Sequence, residues 1–129
     1  MAKSFPHDDA AQLAGQLFGL ILDREADKAG YDYVLDCLQS GTKPVRDIVL
    51  EFISSDEFIT RFVIDSTPGA AVALIHALLL GEKPDDGMES MEACRQFIRL
   101  GLQRYAQGIL MSEDYERDVG PDRVPPYGH

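Results

Sequence analysis

Apolar positions in this chain recur with a helical period almost from end to end. Leu13, Leu17, Leu20 and Ile21 stand at i, i+4, i+7 and i+8, the stripe by which an amphipathic helix buries one face. This predicts a first helix from about Asp8 to Arg24. Asp27 as an N-cap and Gly41 as a stop bound a second helix ending at Ser40. A third opens at Thr42-Lys43-Pro44, with the proline in the first turn, where its missing N–H costs nothing. Its stripe is Val45, Ile48, Val49, Phe52 and Ile53. Ser54 with Glu57 forms a capping-box pattern that predicts a fourth helix through Phe58, Ile59, Phe62 and Val63. Ser66-Thr67-Pro68-Gly69 breaks the chain, and a fifth helix runs from Ala70 to Leu80 with Gly81 as its stop. A sixth is expected from Asp86 to Leu100, stopped by Gly101, and a seventh carries Leu102, Tyr105, Ala106, Ile109 and Leu110. Ser112 caps a short eighth through Tyr115, and Pro121, Pro125 and Pro126 exclude regular structure beyond it. No segment alternates with period two for long enough to argue a strand. The expectation is all-α: one compact bundle of seven or eight helices.

The pattern also repeats. Val45, Ile48, Val49, Phe52 and Ile53 map onto Leu102, Tyr105, Ala106, Ile109 and Leu110 by a shift of 57 residues. The same shift carries Ser55, Glu57 and Phe58 onto Ser112, Asp114 and Tyr115. A shift of 58 puts Leu20-Ile21-Leu22 onto Leu78-Leu79-Leu80 and Asp27 onto Asp85. Residues 8–66 and 67–127 therefore read as two related halves. Neither would bury much alone, so residues 1–129 are expected to form a single domain with one shared core. Phe58 and Tyr115, each just after a serine cap, are expected to bury their rings against the preceding helix.

Charge narrows the range of functions. The chain has 22 acidic and 12 basic residues, a net charge of −10. Residues 1–66 carry 12 acids and 6 bases, and residues 67–129 carry 10 and 6, so the acidity is spread over both halves at −6 and −4. A surface of this sign repels nucleic-acid phosphates and anionic lipid and favours a basic protein face. Arg24, Lys28, Arg95, Arg99 and Arg104 are candidate local contacts, each also accounted for as a solvated position. The longest apolar run, Ala70 to Leu80, falls well short of the roughly 20 residues a membrane span needs. It reads as a buried helix, with no membrane insertion. The apolar stretch Leu13 to Leu22 follows Asp8 and Asp9 and not the basic region of a signal peptide, so a soluble cytoplasmic protein is expected.

Groupings that would carry chemistry do not assemble. His7, His76 and His129 are scattered, and His76 lies inside the apolar fifth helix, where a satisfied or interface-facing imidazole is expected. Cys37 and Cys94 form no CxxC and no Cys/His cluster, and read as small core residues. Glu82 to Ala93 imitates a calcium loop through Asp86 and Gly87. Pro84 at its third place and Ala93 where the bidentate glutamate belongs exclude it. The pairs Asp85/Asp86 and Glu113/Asp114 fit helix N-termini better than general acid–base work. No catalytic, cofactor-binding or metal-ligating residue is nominated, no cofactor is expected, and the reading is of a protein that is not an enzyme.

Several segments taken together resemble a known family. Leu79-Leu80-Gly81-Glu82-Lys83-Pro84, then Ser112-Glu113-Asp114-Tyr115, then Gly120 with Val124-Pro125-Pro126-Tyr127, are similar to the second half of the phycobilisome linker domain. Val45-Arg46-Asp47-Ile48-Val49 and Ser55-Asp56-Glu57-Phe58, followed by Arg61-Phe62, resemble its first half. A second, looser resemblance is to a bacterial domain of unknown function that carries the leucine-rich helix and the Ser-x-Glu-Phe signature. The first resemblance implies a non-catalytic linker polypeptide of light harvesting in photosynthesis. Such a domain docks into or between phycobiliprotein trimers or hexamers and fixes how they stack. It also implies a cytoplasmic or stromal position beside the thylakoid. The second implies a stand-alone protein–protein interaction module of the same fold in a bacterium without phycobilisomes, for which self-association is open.

Overall fold

The computed structural model describes residues 3–81 and 88–125, and among these there are eight α-helices and no strand. α1 spans His7–Leu17 and runs on into a π turn, Phe18–Leu22; α2 is Lys28–Ser40 and α3 is Val45–Ile53. α4, Asp56–Phe58, likewise continues as a π turn, Ile59–Val63. α5 is Pro68–Leu80, α6 Met88–Leu100, α7 Leu102–Leu110 and α8 Glu113–Asp118. The expected start of the sixth helix at Asp86, the rejected calcium-like segment from Glu82, and Pro126-Tyr127 lie outside the described residues. No single described helix is long and apolar enough to cross a membrane.

Most boundaries are made by the residues that announce them. The Asp27 side chain accepts from the Gly30 N–H at 3.1 Å, and Thr67 accepts from the Ala70 N–H at 3.1 Å. Gly41 (φ 71°) and Gly81 (φ 74°) close α2 and α5 in the left-handed conformation that a Cβ disfavours. Two boundaries differ from expectation. The fourth helix is capped by Ser55 and not by Ser54: the Ser55 hydroxyl accepts from the Phe58 N–H at 3.2 Å. Glu57 is consequently not the third residue of a capping box, and its carboxylate is directed to Arg24. Pro44 stands at the N-cap of α3 and not inside its first turn, in extended conformation at ψ 160°.

The core lies where α3 meets α7, with α1, α2, α5 and the capped ends packed around them. α3 buries Val45, Ile48, Val49, Phe52 and Ile53, and α7 buries Tyr105, Ala106 and Leu110. Phe18, in the π turn of α1, meets the Phe52 ring edge-on at 4.8 Å. Gly30 of α2 must be glycine beside it, because a Cβ there would lie 2.7 Å from the Phe18 ring. The C-terminal segment is pinned to the start of α3. The Arg46 N–H donates to the Pro121 carbonyl at 3.0 Å, and its guanidinium to Glu116 at 2.9 Å.

The two serine caps are built alike. Ser112 accepts from the Tyr115 N–H at 3.2 Å and donates to the Ile109 carbonyl at 2.6 Å. Ser55 donates to the Phe52 carbonyl at 2.7 Å. Each hydroxyl thus joins the last turn of one helix to the first of the next and fixes the bend between them. The bend turns the following aromatic inward, and Phe58 and Tyr115 are both 0% exposed. The Tyr115 hydroxyl has no hydrogen-bond partner among the described residues, and burial pushes its phenol well above the ordinary tyrosine range. Phe58→Ala is expected to cost about 3–5 kcal/mol in urea unfolding, the range for truncating a core phenylalanine. Tyr115→Phe should leave stability within about 1 kcal/mol of the parent, because the hydroxyl it removes makes no contact there that offsets its burial.

Candidate docking surface

Both π turns face one cavity. It has a volume of about 200 Å³ and is lined by Leu20 and Ile21 from the first turn and Phe62 from the second. Phe58 and the α5 residues Leu74 and Leu78 complete its apolar wall. A π turn carries one more residue per turn than an α-helix allows; here the Ile64 N–H reaches back five residues to the Ile59 carbonyl at 2.8 Å. Such widened turns recur at functional sites. Leu20, Phe62 and Leu74 are only half-buried, so the cavity opens to solvent. Its one polar lining residue is Asp23, which ends the first π turn at φ 53° and is the only non-glycine described residue with positive φ. Asp23 corresponds to Gly81 in the second half. It adopts that glycine's conformation at some steric cost, which aspartate tolerates better than most residues.

Ion pairs frame this surface. Arg24 donates to both Glu57 oxygens, from Nε at 2.6 Å and from Nη2 at 2.8 Å. This two-pronged contact ties the loop after α1 to the start of α4. Arg24 also reaches Asp27 at 3.3 Å and lies 5.2 Å from the Phe18 ring centre. The Arg61 guanidinium donates to the Leu22 carbonyl and sits 3.5 Å from Glu57. The Arg24 hydrogen bond holds the Glu57 carboxyl below its ordinary range, and the Gly30 N–H does the same for Asp27. Arg24, a candidate for outward contact, is therefore engaged by the chain's own Glu57 and Asp27 while remaining half-exposed. Lys28 is exposed and pairs with Asp32 at 3.2 Å. Away from the cavity, Tyr33 donates to Glu51 at 2.9 Å and accepts from Lys43 at 2.8 Å, joining α2 to α3.

The remaining arginines stand in a different setting. Between Glu92 and Glu113 the chain has three arginines and no acid. Met91, Arg95, Ile98 and Arg99, at i, i+4, i+7 and i+8, form the outward face of α6, while Ala93, Cys94 and Phe97 pack against the core. Ile98 is 68% exposed and Met91 55%. Arg95 has only Glu92 at 3.6 Å, and Arg99 and Arg104 form no ion pair among the described residues. Exposed apolar side chains, methionine and arginine match the composition of interface centres, and Glu92, also exposed, is an acid that shares the face. Behind this face His76 is half-buried, its Nε2 2.6 Å from the buried Tyr105 hydroxyl, with the Phe97 ring edge-on to Tyr105. Cys37 is buried and Cys94 half-buried. Among the described residues no group of three or more His, Cys, Asp or Glu is placed to hold a metal ion.

Two comparisons bear on this arrangement. The model of a family described as Domain of unknown function (DUF4214) matches residues 7–62, from α1 through the second π turn. The chain is also similar to Phycobiliprotein ApcE of Microchaete diplosiphon, 28% identical over 113 residues covering 84% of this chain. Those residues are 10% of that protein, so the chain spans about a tenth of the length of this relative. Neither similarity is confined to one motif: the first takes in one half of the repeat, and the second extends over most of both.

The Arg24–Glu57 contact gives a pH-dependent expectation. A carboxyl whose folded pKa is depressed adds stability that is complete above its unfolded value, about 4.3, and is lost as pH falls through the folded one. At neutral pH Arg24→Ala should cost about 1 kcal/mol, the scale for a half-exposed pair of good geometry. Urea midpoints of parent and variant should converge as the pH falls below about 4. A gap unchanged at low pH would mean that Arg24 acts through its stacking on Phe18 alone.

Proposed function

We propose that this chain is a non-catalytic linker module that docks into or between phycobiliprotein-type assemblies and organises them. The observation that carries the reading is the similarity to Phycobiliprotein ApcE across 84% of the chain. The ordered motif set from Leu13 to Tyr127 supports it. The module acts stoichiometrically: its exposed apolar residues and capped helices suit contact with another protein, and no step of chemistry is assigned to it. Its acidic surface selects a basic face on the assembly, so association weakens as salt rises. The match of residues 7–62 to a domain of unknown function favours a second reading, a stand-alone protein–protein interaction module of the same fold in a bacterium without phycobilisomes.

Sedimentation velocity of the purified chain mixed with phycobiliprotein trimers or hexamers tests the first reading. A faster, coloured species that contains this chain, and that diminishes at moderate salt, is expected. Unchanged coloured and colourless boundaries at low salt would overturn it. Recovery of the chain from its native host in a colourless complex would then establish the second.

A further inference from the structure

We propose that the chain associates with itself head to tail: the outward face of α6 on one copy seats in the cavity between the π turns of the next. The knob is Ile98, with Met91 two turns before it on the same face. The hole is the 200 Å³ cavity walled by Leu20, Phe62 and Leu74. An apolar cavity of about 150 Å³ already holds a benzene ring, so this one has room for an aliphatic side chain. Charge fits in the same register. Arg95 lies one helical turn before Ile98 and has only a distant contact to Glu92. Asp23 is the carboxylate on the cavity and has no partner among the described residues. Seating Ile98 thus brings an underused guanidinium to an unpaired carboxylate and covers two of the five most exposed large apolar side chains.

The second copy is the occupant that the charges select. Arg95, Arg99 and Arg104 lie in a stretch, residues 93–112, without acids, so the end of α6 that carries Ile98 is opposite in sign to the rest of a chain of net charge −10. The rest of another copy is therefore its electrostatic complement. Net repulsion between two acidic chains is screened beyond about 8 Å at 0.15 M salt, whereas a contact ion pair is screened much less. Knob and hole are different surfaces, so the contact is heterologous. Each added copy leaves one of each free, and growth continues unless rotation closes a ring.

The test uses the purified chain alone, at about 0.15 M salt, in sedimentation velocity across a range of concentrations. It is separate from docking onto a phycobiliprotein assembly, which stands or falls on its own mixture. The parent should form species larger than a dimer as concentration rises. M91S/I98S removes the knob and D23K reverses the cavity charge; both alter exposed side chains, and helical dichroism checks that each is folded. Each variant alone should stay monomeric. Mixed in equal amounts they should form a dimer and nothing larger, because the intact knob of one meets the intact hole of the other and the remaining faces are blocked. A parent that stays monomeric, a parent that stops at a dimer, variants that still assemble, or a mixture that stays monomeric would each overturn the proposal.

Discussion

Everything in this fold depends on burying one short helix. α3 has nine residues, and five of them are withdrawn from water. At about 1.5–3 kcal/mol for each buried aliphatic or aromatic side chain, this helix alone contributes a large part of the hydrophobic driving force. It obtains that burial only because α7, the corresponding helix of the other half, lies against it while the π turn after α1 closes the adjacent side. Each half packs its own helices, α1 on α2 and α5 on α6, but the α3 stripe is covered only when α7 is added. The serine caps matter for the same reason. By fixing the bend after α3 and after α7, they turn Phe58 and Tyr115 inward, where both rings are withdrawn from water.

Apolar periodicity and capping chemistry made the helices legible in the sequence. Asp27, Gly41, Gly81 and Ser112 act on neighbours within four residues, and each sits where its local chemistry predicts. Legibility fails where the deciding contact is distant. Ser54 and Ser55 are both competent caps by local rules, and Glu57 three residues after Ser54 favours the former. Arg24, 33 residues away, takes the Glu57 carboxylate and leaves Ser55 as the cap. The π turns are illegible for another reason. Over five residues, a shift of one hydrogen-bond register leaves the apolar pattern of Leu20-Ile21 or Phe62-Val63 almost unchanged.

The surface is as asymmetric as the core is shared. Acidic side chains are distributed over both halves, yet the arginines of α6 and α7 occupy a stretch from which acids are missing. Arg24 and Arg95 illustrate how little residue type alone decides. One guanidinium is clamped on a carboxylate and lies over a phenylalanine ring at the half-buried edge of the fold; the other stands beside exposed Ile98 with a single loose neighbour. Sequence position shows neither difference, because each depends on which helix face the rest of the chain has already covered.

The paired π turns have a consequence for how such a chain can vary. A π turn is an α-helix that has absorbed one extra residue, so deleting a single position between Phe18 and Leu22, or between Ile59 and Val63, restores the ordinary ladder without touching the helices on either side. The rotation of everything downstream, which a one-residue deletion imposes on a continuous α-helix, is here confined by the left-handed Asp23 and by the break at Ser66-Thr67. The cavity wall is thus a place where a change of chain length is taken up locally, at the expense of the buried contacts of Phe18 and Ile21.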